Sequence, residues 1–135
     1  MIVAVQRLVV PVPPSSNRYW RVDKGVTHLS AEARDYRRTV ARACAEKRLQ
    51  CVDDGDVVLR LVWYRAARRG DLDNRLKQFL DAAQGHLWKT DAQISEIRFR
   101  RCEDKQNPRL EVLMARDGTP EAEQLLAVRM TGGTR

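Results

Sequence analysis

The stretch 56–64, Asp-Val-Val-Leu-Arg-Leu-Val-Trp-Tyr, constrains the fold more than any other part of the chain. Successive side chains of an extended backbone point to opposite sides. Val57, Leu59, Leu61 and Trp63 therefore share one face, and Val58, Arg60, Val62 and Tyr64 the other. That alternation specifies a strand. Two more segments follow the same rule: 93–101, with Ile97 and Phe99 inward, and 109–115, alternating Leu110, Val112 and Met114, with a turn over 104–108. Residues 2–10 are rich in β-branched side chains and read as a strand stopped by Pro11, Pro13 and Pro14, whose nitrogens cannot donate to a ladder. The segment 13–20 then reads as a loop in which Asn17, Arg18, Tyr19 and Trp20 cluster, able either to grip a nucleic acid or to anchor the edge of the core.

Helical periodicity takes over between these strands. Ser30 is placed to cap a helix over residues 31 to about 49, with Glu32 in its first turn and Tyr36, Val40, Ala43 and Cys44 on its buried face. Arg34, Arg38 and Arg42 recur every four residues on another face, where they either track a phosphate backbone or form a solvated surface. A second helix is expected from Asp73 or Asn74 to about residue 84, with Leu72, Leu76, Phe79, Leu80 and Ala83 as its apolar stripe and Gly85 ending it. Thr119-Pro120 opens a short helix over 121–130, followed by a fraying tail. The elements add up to a small α/β (α+β) domain, a mixed β-sheet packed by two main helices.

With 135 residues the chain fits one domain of the usual ~100–150 residues. Its net charge of +7 points to a polyanionic partner. Of its 25 basic residues 20 are arginine, whose planar fork grips phosphate by two hydrogen bonds at once. Cys44, Cys51 and Cys102 form no C-x-x-C pair, and only two histidines could join them, which argues against a structural zinc site. No uncharged apolar run approaches the ~20 residues of a membrane span, and the first apolar stretch is broken at Gln6-Arg7 with no basic region before it. These features, with the odd cysteine count, lead to the expectation of a cytoplasmic protein with no membrane partner and no small-molecule cofactor.

Asp71-Leu72-Asp73-Asn74 stands where a basic connection containing Arg68 and Arg69 gives way to a helix, so Asp71 and Asp73 can point the same way. Lys77 follows Asp73 by one helical turn and can reach the same space. Asp91 precedes the next strand, and an antiparallel return of the helix would bring it back beside the first two. Three carboxylates and a lysine suit phosphodiester hydrolysis with Mg²⁺: hard oxygen ligands hold the ion, a bound water becomes a nucleophile, and the ammonium offsets charge on the phosphate. The same residues also fit a bland reading, with Asp73 as a helix cap, Lys77 as an i, i+4 partner of Asp73 or Asp81, and Asp91 as a turn residue.

Four strings, in order, carry a resemblance: Pro13-Pro14-Ser15-Ser16-Asn17-Arg18-Tyr19-Trp20; Ser30-Ala31-Glu32 with Tyr36-Arg37; Gly70-Asp71-Leu72-Asp73-Asn74 with Lys77 and Asp81-Ala82; and Asp91-Ala92-Gln93-Ile94. Together they resemble the RusA family of Holliday junction resolvases over residues 2 to about 114. The resemblance implies that Asp71, Asp73 and Asp91 bind catalytic Mg²⁺ and that Lys77 assists. It also implies a homodimer that nicks two opposed strands of a four-way junction, in a domain spanning 1–116 with 117–135 as a C-terminal extension. Asn17, Arg18, Arg34, Arg38, Arg42, Arg68, Arg69 and Asn74 are the candidate DNA contacts. Family members often carry two aspartates before A-Q, and here the first is Thr90. Two other readings compete: a non-catalytic basic nucleic-acid-binding module, and a sugar transferase using D-x-D, for which the short chain leaves no acceptor domain.

Overall fold

The computed structural model describes residues 5–14, 20–23, 25–67 and 72–127, with the backbone alone for 20–23, 26–29 and 72–74. Strand β1 (Val5–Val10) is followed by a hairpin of β2 (Trp20–Asp23) and β3 (Val26–Leu29), then helix α1 (Ala31–Glu46). Strand β4 (Val57–Arg65), helix α2 (Leu72–Ala83), strands β5 (Ile94–Glu103) and β6 (Arg109–Arg116), and helix α3 (Pro120–Ala127) complete the order.

Strands β1, β6, β4 and β5 form one sheet in that spatial order. β4 and β5 run parallel, joined through α2, whereas β6 is antiparallel to both β4 and β1. The mixed sheet agrees with the expected class. Leu59, Leu61 and Trp63 of β4 pack with Tyr36, Val40 and Cys44 of α1 and with Phe79, Ala82 and Ala83 of α2. On the other face Val58 and Ala115 meet Ala122 and Leu125 of α3. The expected short C-terminal helix, found as Pro120–Ala127, covers part of the second face, because β4 is apolar on both sides and exposing Val58 would forfeit its burial.

Ser30 caps α1 as expected, its hydroxyl accepting from the Ala33 N–H at 3.1 Å. The helix stops at Glu46, three residues before the predicted end. Leu49 N–H reaches the Cys44 carbonyl and Arg48 N–H the Ala45 carbonyl, a Schellman closure that puts Arg48 at φ 54°. A non-glycine residue in this left-handed region is strained by ~1–2 kcal/mol. Arg48→Gly is therefore expected to raise stability by up to ~1 kcal/mol after the entropic cost of glycine, seen as a melting temperature about 3 °C higher.

Two other boundaries depart from expectation. Trp20 opens β2 instead of closing a loop; the turn that returns to β3 includes Gly25 at φ 77°, which an L side chain would resist. Gln93 lies in a 3₁₀ turn (Asp91–Gln93) and not in the strand that follows. Cys44 is a small buried hydrophobe, and burial pushes its thiol up to about 11.

Candidate active site

Helix α2 starts at Leu72, so Asp73 and Asn74 are its second and third residues and Asp73 does not cap it, contrary to the bland reading. A carboxylate in the first turn is favoured there by the helix dipole. Asp71, like Asn17, Arg18, Arg68 and Arg69, lies outside the described residues. Lys77 is exposed, one turn further along α2. This end of α2 is tied to the proline segment after β1 by Arg75 Nη1, which donates to the Pro13 carbonyl at 2.5 Å, and α1 is tied to the same segment by the Tyr36 hydroxyl, which donates to the Pro11 carbonyl at 2.9 Å. An open groove of about 500 Å³ runs between the prolines and the start of α1.

Asp91 sits at the other end of α2. Its backbone N–H donates to Oε1 of Gln84, the residue after the helix, at 2.9 Å, and its Oδ1 accepts from Trp88 Nε1 at 2.7 Å. Trp88 is fully buried and packs edge-on to Phe79 of α2 with ring centroids 6.4 Å apart. With a rise of about 1.5 Å per residue, Asp73 and Gln84 are separated by roughly 16 Å along the helix axis. Carboxylates sharing one Mg²⁺ must each reach about 2.1 Å from it. The expected convergence of Asp91 on Asp73 within one chain is thus corrected. The physical reason is the parallel β4–α2–β5 connection: α2 carries the chain back along the sheet, so β5 starts beside the start of β4, whereas α2 starts after its end. Among the described residues no cluster of three His, Cys, Asp or Glu could hold a metal ion.

Gln93 makes the Asp91 turn rigid, a role that its sequence position did not reveal. Its Oε1 accepts from the N–H groups of Lys89 and Thr90, and its Nε2 donates to the carbonyls of Val52 and Gly55, each at 2.9 Å. Thr90 is the cap of the turn, its hydroxyl accepting from Ala92 N–H. Gln93→Leu would strand the Thr90 N–H and the Gly55 carbonyl, while Lys89 N–H and the Val52 carbonyl keep their mutual bond at 3.2 Å, so it is expected to cost about 2 kcal/mol, read by urea denaturation. A loss below ~1 kcal/mol would mean that water replaces the side chain.

Arg34, Arg38 and Arg42 form an exposed stripe on α1 as predicted. Arg38 is ion-paired with Asp35 one turn back, which neutralises part of the stripe.

A four-stranded mixed sheet with a separate two-stranded hairpin and an α-helical crossover that carries Asp73 in its first turn defines a small basic α+β protein. A family model described as Endodeoxyribonuclease RusA matches residues 10–115. Curated relatives named crossover junction endodeoxyribonuclease RusA include those of Escherichia coli K12 and Enterobacteria phage 82. Each is 35% identical over 113 residues, covering 82% of this chain and 94% of the relative. The Shigella sonnei relative is 34% identical over the same length. The chain belongs to the RusA family of endodeoxyribonucleases. Helix α3 lies past the last residue matched.

Proposed function

We propose that this chain is a Mg²⁺-dependent, structure-selective endonuclease that resolves Holliday junctions by paired phosphodiester cleavage, acting as a homodimer in the cytoplasm. The family match over residues 10–115, which spans Asp71, Asp73, Lys77 and Asp91, carries the reading. The carboxylate chemistry suits a hard cation, but the separation along α2 leaves one chain unable to supply all three ligands to one ion. The proposed site is therefore shared: Asp71 and Asp73 of one protomer with the partner's Asp91. Two-fold symmetry generates two such sites, matching two cuts.

Bound there, the ion would neutralise phosphate charge and supply an activated water. Trp88 would orient Asp91 for such a role by donating to one of its carboxylate oxygens. Lys77 offsets charge that builds on the phosphate during cleavage. Arg34, Arg38, Arg42, Arg68 and Arg69, with Asn17, Arg18 and Asn74, bind and orient the branched DNA.

Incubating the purified chain with end-labelled four-way junction or linear duplex, with and without Mg²⁺, tests this. Paired nicks in the junction that need Mg²⁺ are expected. Retention of the junction without cleavage in any divalent metal would instead favour the non-catalytic binding module.

A further inference from the structure

At the end of β4, beside α2, three donor-bearing side chains surround a void of about 380 Å³ walled by Val12 and Pro108. Trp63 is 2% exposed and Arg65 8% exposed. The guanidinium groups of Arg65 and Arg75 lie 5.9 and 5.4 Å from the Trp63 ring centroid, so two cations converge on one indole. The nearby carboxylate is Glu103, 3.6 Å from Arg65 Nη2 and itself half-exposed. Trp63 Nε1 and Arg65 Nε are buried without a hydrogen-bond acceptor among the described residues. Buried polar groups are normally paired, and neither of these donors has an acceptor among the described residues, so the side chains around the void carry unmet donor capacity together with positive charge.

We infer that Trp63, Arg65 and Arg75 form a subsite for a backbone phosphate of the bound DNA strand, next to the α2 N-terminus; this rests on the nuclease reading above. A phosphodiester offers only acceptors and a negative charge, which complements a site dominated by donors and positive charge, with Glu103 as its one nearby carboxylate among the described ion pairs. A nucleobase would bring donors that find little to pair with there. Arg75 lies in the same first turn of α2 as Asp73 but on a different face, so a phosphate held in this void would anchor the strand at a position neighbouring the one at the carboxylates. The tie from Arg75 to the Pro13 carbonyl and the stacking on Trp63 hold its side chain ready before DNA arrives.

The test is junction affinity in EDTA between low and moderate salt, for the full chain and three variants, with melting curves for each. Arg65→Gln is expected to bind about tenfold more weakly and to lower the log-log salt slope by ~0.9, the value of one phosphate contact. Trp63→Phe removes a neutral donor, so affinity should fall about threefold with the slope unchanged. Glu103→Gln removes a competing carboxylate, and about twofold tighter binding is expected. It is the deciding variant should Arg65→Gln not fold, because the Glu103 side chain is 47% exposed. A wild type that binds and cuts junctions beside variants with unchanged affinity and slope would overturn the phosphate subsite alone. A wild type that neither binds nor cuts them would overturn this inference together with the nuclease reading.

Discussion

Asp73→Asn is expected to cleave four-way junctions about a thousandfold more slowly than wild type, since losing a metal-binding carboxylate removes several kcal/mol of transition-state stabilisation. The same loss is expected for Asp71→Asn. Junction binding in EDTA should persist or tighten, because each change deletes a negative charge that repels incoming phosphates. Folding should change little: Asp73 is the second residue of α2, where a carboxylate contributes only ~0.3–1 kcal/mol through the helix dipole. Single-turnover cleavage and metal-free binding on the same preparation separate these effects. Cleavage by Asp73→Asn at the wild-type rate in Mg²⁺ would show that the carboxylate site placed here is wrong.

Mixing two dead variants should restore activity. If each site joins Asp71 and Asp73 of one protomer to the partner's Asp91, Asp73→Asn and Asp91→Asn each inactivate both sites of their own homodimers. A heterodimer of the two carries one site with both changes and one site with none. After subunit exchange in a 1:1 mixture about half the dimers are mixed, so nicking should return to about a quarter of the wild-type level. Single nicks should dominate over resolved duplexes, because only one site of each mixed dimer works. Asn at position 91 retains a carbonyl oxygen to accept the Trp88 N–H, so the turn should hold its shape. Were each site built within one chain, every heterodimer would be dead and the mixture would stay inactive.

Features set by near neighbours were legible in the sequence. The alternation of β4, the Ser30 cap and the Phe79 stripe of α2 each depend on residues within a few positions, and the structure agrees at all three. The D-L-D-N string likewise marked the start of a helix, one or two residues from where α2 begins. Arg48 at a left-handed helix end was invisible because no glycine announces it. What spacing could not supply was distance in space. Asp91 and Asp73 are 18 positions apart in the sequence, which is compatible with contact, but the intervening helix and the parallel strand order hold them at opposite ends of α2. Gln93 bonds to backbone groups 38 and 41 residues away, and Arg75 to one 62 residues away. The sequence by itself determined which segments fold and which acids and arginines are available. The tertiary structure decided which of them meet, because burial and long-range hydrogen bonds, and not local preference, bring β4, the proline segment and α2 around Trp63.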